Sequence, residues 1–150
     1  MNTDISKSIM HSGTSIVGIV CKDGVVIAGD RRATAGGMIM SKNSEKVVKV
    51  NDYIIVAGTG VSSDIALNRR VFAAELKLKE LKTRTHSTVK EAATLFGMMA
   101  YRNIRTPSMI PSITHFILSG SDDKGLYLYD ISPDGYIQTS DTYVASGSGI

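Results

Sequence analysis

The sequence predicts an α+β fold, and three observations carry the prediction. Short apolar runs open the chain, two stretches of helical periodicity fill its middle, and short apolar runs return towards residue 150. Strands segregated from helices do not form the alternating βαβ order of a nucleotide-binding sheet. Several runs are apolar throughout, and a strand of that kind needs cover on both faces. Two stacked sheets with amphipathic helices on the outside meet these conditions.

The first pair of strands spans residues 15–21 (SIVGIVC) and 25–28 (VVIA), separated by Lys22-Asp23-Gly24. An Asp-Gly pair between β-branched runs is a hairpin signal, because glycine accepts the positive φ of a tight turn. A second pair, 47–50 and 53–57, is joined through Asn51-Asp52. The period then changes. Leu67, Val71, Ala74, Leu78 and Leu81 recur at helical spacing, with Phe72 and Leu76 alongside. Ser62 or Ser63 is placed to cap this helix. A second helix starts at Ser87 or Thr88, where Thr88 and Glu91 have capping-box spacing. Its apolar face carries Val89, Ala92, Ala93, Phe96, Met99, Ala100 and Ile104, and Pro107 and Pro111 end the helical region. Strands resume over 113–118, 126–131, 136–139 and 143–146, with turns at Asp122-Asp123-Lys124-Gly125 and Pro133-Asp134-Gly135.

A chain of 150 residues suits one domain with a real core. It is 43% hydrophobic and 21% charged, and no apolar run reaches the length that spans a bilayer. The first thirteen residues read as a short polar leader, without the apolar core of a secretory signal. The single cysteine, Cys21, cannot form an internal disulfide, which fits a reducing, cytoplasmic location. Its place in an aliphatic run marks it as a small buried hydrophobe. His11, His86 and His115 are scattered, so no metal site is expected. The net charge of +3 comes without an arginine-rich stripe interleaved with aromatics, so nucleic acid is not an expected partner. The densest basic stretch, 77–84, alternates with leucines and reads as the wet face of a helix.

The chemistry centres on Gly13-Thr14-Ser15. A threonine hydroxyl is a poor nucleophile unless a base takes its proton. Cutting the Gly13–Thr14 bond would give Thr14 a free α-amine, whose ordinary pKa is about 7.7–8.0. One residue then supplies both nucleophile and base. Glycine before the threonine lets the chain turn tightly enough for the hydroxyl to reach its own preceding carbonyl.

The blocks that follow arrive in order. Thr14-Ser-Ile-Val-Gly-Ile-Val and Lys22-Asp-Gly-Val-Val-Ile-Ala-Gly-Asp30-Arg-Arg-Ala-Thr34 resemble the opening of archaeal-like proteasome β subunits, as do Lys46-Val-Val-Lys-Val, Val56-Ala57-Gly58, Asp64 and Ala145-Ser-Gly-Ser148-Gly149. The resemblance implies a four-layer αββα sandwich of the Ntn-hydrolase type. It implies a threonine endopeptidase autoprocessed between Gly13 and Thr14, with residues 1–13 a propeptide and 14–150 the N-terminal part of one domain.

By the same resemblance Thr14 is the nucleophile and Lys46 the active-site lysine, preferred over Lys42 and Lys49. Asp30 orients that lysine, the Gly58 amide serves the oxyanion, and Ser148 lies near the threonine amine. Backbone at Thr34 and Gly60 would hold substrate as an added strand. Ala33, Ser44, Val48 and Val56 would form the side-chain pocket, small and without an acid, predicting a preference for hydrophobic residues. Gly147-Ser148-Gly149 is not a serine-hydrolase elbow, and Gly58-Thr59-Gly60 lacks the lysine of a phosphate loop.

Implied partners are other β subunits in a heptameric ring, flanking α-subunit rings, unfolded polypeptide and an ATP-dependent unfoldase acting through the α ring. No cofactor is implied, and no membrane. Family members continue past the position of Ile150 with further helices and strands, so the C-terminal part of the sandwich is expected to be missing from this chain, leaving it weakly folded and inactive by itself. The alternatives are a non-catalytic ring subunit or inactive fragment, and the related bacterial double-ring peptidase.

Overall fold

The computed structural model describes residues 13–35 and 38–150. His11 and the expected propeptide, apart from Gly13, lie outside the described residues. The Asp-Gly turn joins β1 (Ser15–Val20) to β2 (Val25–Gly29) as an antiparallel hairpin, with Ile19 opposite Val26. The turn closes through the Cys21 amide, which donates to the Gly24 carbonyl at 2.7 Å. A separate ribbon pairs β3 (Ala33–Ala35) with β4 (Met38–Ser41). Strands this short leave no period to read, and the sequence carried no expectation for them.

Next come β5 (Val47–Lys49) and β6 (Ile54–Gly60), then α1 (Ser62–Thr83) and α2 (Val89–Arg105). The chain closes with β7 (Thr114–Asp122), β8 (Gly125–Ile131), β9 (Ile137–Thr139) and β10 (Tyr143–Gly147). β10 does not extend the sheet of its predecessors. It crosses to pair with β1, giving one sheet of order β10-β1-β2 and another of order β5-β6-β7-β8-β9.

Two apolar clusters hold the layers. One joins the five-stranded sheet to the helices and centres on Phe72, Phe96 and Phe116, whose successive ring centroids lie 4.5 and 4.4 Å apart. Removing such a side chain from water is worth about 1.5–3 kcal/mol. The other lies between the sheets: Ile16 and Val144 meet Ala57, Ile117 and Leu128. The order is helices, sheet, sheet, consistent with the Ntn-hydrolase arrangement. Among the described residues no helix covers the outer face of β10-β1-β2. Ile19, Val26 and Tyr143 stand opposite one another across its three strands and are 45%, 56% and 68% exposed.

Helix α2 follows its sequence signals. The Thr88 side chain accepts from the Glu91 amide while Glu91 accepts from the Thr88 amide, and Val89, Ala92, Ala93, Phe96 and Ala100 are buried. α1 departs from expectation twice. Its N-cap is Val61 with no side-chain bond, so neither Ser62 nor Ser63 caps it. It buries Ile65, Asn68, Phe72 and Leu76, while Leu67, Val71, Leu78 and Leu81 face outwards. The helix carries two apolar stripes, and the one holding the phenylalanine docks on the sheet. Cys21 is another correction. It follows the last residue of β1 and is exposed, because the turn begins there.

Candidate active site

Pairing of β1 with β2 sets Ile16 opposite Gly29, so the next residue, Asp30, emerges beside the start of β1. Its carboxylate is fixed by two backbone donors: the Ser15 amide at 2.9 Å on Oδ1 and the Arg32 amide at 2.9 Å on Oδ2. Lys46, one residue before β5, reaches the same point from the other sheet. Its Nζ lies 2.8 Å from each Asp30 oxygen and 3.0 Å from Thr14 Oγ1. It is also 3.4 Å from the Gly13 carbonyl oxygen. An ammonium with three donors can serve these acceptors together. Lys49 instead pairs with exposed Asp52, and Lys42 lines the neighbouring cleft.

Burial works to raise the Asp30 carboxyl. The hydrogen bonds from Lys46, Ser15 and Arg32 outweigh it and hold the group below the usual carboxylate range. Asp30 is therefore an anion at neutral pH, and it keeps the lysine ammonium pointed at the threonine. That cation favours the alkoxide form of the Thr14 hydroxyl.

Thr14 is only 8% exposed and is gripped from the far end of the chain. The Ser148 amide donates to the Thr14 carbonyl at 2.8 Å, and the Ser148 hydroxyl stands 3.5 Å from the same oxygen. This contact needs glycine at 147. The φ there is +112°, and a Cβ would lie 1.8 Å from the Thr14 carbonyl oxygen.

The β6 edge beside Lys46 carries the backbone donors. Gly58 donates to the Lys46 carbonyl at 3.4 Å, so its amide is already engaged in the sheet. Strand amides repeat direction every second residue. The Gly60 amide thus points to the same edge, one step past the end of the β5 pairing. Sequence reasoning assigned Gly60 only to holding substrate.

Two hollows flank Thr14. A cleft of about 670 Å³ runs past Gly13, Ser15, Asp30, Thr34 and Ser148. A smaller cavity of about 50 Å³ is lined by Thr14, Ala33, Ser44, Glu45, Gly58 and Arg69, among others. Ala33 and Ser44 therefore sit where expected, but Val48 and Val56 are not on its wall. Val56 is fully buried on the helix side of the sheet, opposite Val48 across β5 and β6. Nor is the cavity free of acid, because the intervening loop folds Glu45 onto it.

A sequence model of the family described as "Proteasome subunit" matches residues 10–150. This chain belongs to the proteasome subunit family. Among its relatives, proteasome subunit beta 2 of Pyrococcus abyssi is 40% identical over 138 residues, covering 92% of this chain and 64% of that protein. Proteasome subunit beta 1 of Thermococcus onnurineus is 39% identical, covering 92% and 65%. Proteasome subunit beta of Methanococcus maripaludis is 35% identical over 149 residues, covering 99% and 66%. The chain thus spans 64–66% of the length of these relatives.

The fold of this proteasome subunit brings Thr14, Asp30, Lys46 and Ser148 to one point from four separate stretches of chain. It also builds a second polar chain that sequence reasoning missed. His115 Nε2 contacts Asp130 Oδ1, His115 Nδ1 is 2.9 Å from Ser146 Oγ, and that hydroxyl is 3.2 Å from Thr59 Oγ1. Each member lies on a different strand. The available signal was a histidine, an aspartate and two hydroxyl residues inside apolar runs, where polar side chains need partners. Among the described residues no helix is long and apolar enough to cross a membrane.

Proposed function

We propose that this chain is the N-terminal part of a catalytic proteasome β subunit, a threonine endopeptidase that cuts unfolded polypeptide. The observation that carries the reading is the Lys46 ammonium, 3.0 Å from Thr14 Oγ1 while bound to both oxygens of Asp30. A purely structural strand start has no use for a buried cation held against a hydroxyl.

In the first step Thr14 Oγ1 attacks the Gly13 carbonyl carbon, and the Lys46 ammonium near the Gly13 oxygen polarises that bond. The hydroxyl proton ends on the Thr14 nitrogen as the C–N bond breaks and the acyl group moves to oxygen; water then hydrolyses the ester, and residues 1–13 leave as an acid. The freed Thr14 amine then takes the hydroxyl proton as Oγ1 attacks a substrate carbonyl. The oxyanion is met by a backbone amide of the β6 edge. Gly60 is better placed than Gly58, whose amide is shared with Lys46. Such a donor is commonly worth about 2.7–4 kcal/mol of barrier. The amine returns the proton to the leaving nitrogen, and water releases the acyl group.

Membership of the family supports assembly into a proteasome core with other subunits. The finer assembly belongs to the proposal: a heptameric β ring, flanking α rings, an ATP-dependent unfoldase and a cytoplasmic location. The outward stripe of Leu67, Val71, Leu78 and Leu81 on α1, and the open face at Ile19, Val26 and Tyr143, are apolar surfaces suited to further packing. The deciding experiment assembles the full-length natural protein with its α subunits and weighs the β chain. Loss of residues 1–13 and hydrolysis of fluorogenic peptides are expected. Thr14→Ala should retain the leader and reduce hydrolysis at least about 10³-fold. Equal activity in that variant would sink the reading.

A further inference from the structure

We infer that Arg69, at the cavity beside Thr14, selects substrates with an acidic side chain at the residue before the cut. The inference rests on the peptidase reading above and replaces the hydrophobic preference expected from sequence. Arg69 lies in α1, eleven residues after Gly58, and helical packing brings it to the same wall as Thr14, Ser44 and Glu45. It is partly buried, and its Nη1 donates to the Glu45 carbonyl at 3.3 Å. That contact leaves further N–H donors on the same group. Among the described residues Arg69 enters no salt bridge.

Burial presses the Arg69 guanidinium below its ordinary pKa, with the charge of Glu45 pulling the other way. Arginine stays charged regardless. A partly desolvated cation without a bound carboxylate is a natural seat for one, in a bidentate geometry that arginine favours. Glu45 acts on Arg69 from a more exposed position. Its side chain is exposed, where water and salt screen it more than they screen the partly buried arginine. The Arg32 cation lines the same cavity. Gly58 contributes no side chain to the wall, and a Cβ there would stand 2.9 Å from Ile65 and 2.8 Å from Phe116. The cavity, about 50 Å³, exceeds what one water needs. A carboxylate side chain matches the charge of the two arginines on its wall.

The test uses the full-length protein assembled with its α subunits, and peptides differing only in glutamate, leucine or arginine before the cut. The natural protein should show its highest kcat/KM for glutamate, with the glutamate-to-leucine ratio falling as salt is raised. Arg69→Gln should lower that ratio about tenfold or more, and Arg69→Glu should turn the preference towards arginine. Leucine or arginine preferred by the natural protein, a salt-independent ratio, or a ratio unchanged in Arg69→Gln each overturns the assignment. Should both variants fail to assemble, the natural protein still overturns the assignment if it does not prefer glutamate or if the ratio does not fall with salt, and Arg32→Gln, expected to leave most of the preference, separates the two arginines. Processed, assembled protein that cleaves none of the peptides would refute the peptidase reading itself, a result distinct from a wrong preference.

Discussion

The molecule holds two carboxylate–nitrogen–hydroxyl chains built from similar parts with different surroundings. Asp30–Lys46–Thr14 lies at the edges of both sheets and faces the cavity and cleft. Asp130–His115–Ser146 runs between the sheets, and its hydroxyl is committed on its other side to Thr59. By residue type the second chain looks more like a hydrolase triad than the first. Yet Ser146 is mid-strand, 4% exposed and paired with both neighbours. Thr14 is nearly as buried, but it borders open space and follows a peptide bond whose cleavage would supply a base. The two chains differ in access and in the Thr14 hydroxyl, which accepts from Lys46 and still has its own proton to give, and the residue triplet shows neither.

The comparison breaks most sharply at Lys46. Lys46→Met in the assembled full-length protein should cut peptide hydrolysis and leader removal about 10²-fold or more, by loss of the cation that steadies the alkoxide. The readouts are steady-state kinetics and intact mass. Activity near the natural level would erase the distinction between the two chains.

Asp30 gives the next effect, and it depends on pH. Its carboxyl is held below the ordinary value, so the unfolded chain binds that proton more readily. The stabilisation from the Asp30–Lys46 contact is complete above about pH 4 and is lost as pH falls through the lower folded value. Asp30→Asn should be less stable than the natural protein at neutral pH and should lose less on acidification. Urea unfolding between pH 3 and 7 would show it. Parallel acid limbs would mean that the ion pair contributes nothing to folding.

Disrupting the second chain should act on stability and spare the chemistry. His115→Gln cannot span Asp130 and Ser146 as the ring does, and leaving such groups unpaired costs about 1–3 kcal/mol. Denaturant melts should register that loss while kcat stays within a few-fold. Ser146→Ala removes one partner from His115 and one from Thr59, with a smaller expected loss of about 1 kcal/mol. A collapse of kcat in either variant at full assembly would show that the buried chain also serves the reaction.

What was legible from sequence follows the range of the interactions. The Asp23-Gly24 hairpin and the Thr88/Glu91 capping box are contacts between residues a few positions apart, and both stand as read. The two-sheet packing was legible from continuous apolar runs. The buried face of α1 was not, because Leu67/Val71/Leu78 and Ile65/Phe72/Leu76 both satisfy a helical period. Choosing between them required the aromatic cluster contributed by α2 and β7. Cys21 was misread for a related reason: an apolar run does not state where its strand stops.

By itself, the sequence determined the type of every element except the β3–β4 ribbon, the main turns, and the family blocks around Thr14, Asp30, Lys46 and Ser148, since these depend on local periodicity and short motifs. The tertiary structure alone decided that Gly58 is engaged with Lys46 while the Gly60 amide lies beyond the pairing, that Val56 is core, and that Arg69 and Glu45 share a wall with Thr14. The reason is physical. A cavity is made where separate elements meet, and its charge is the sum of side chains that no local pattern places together.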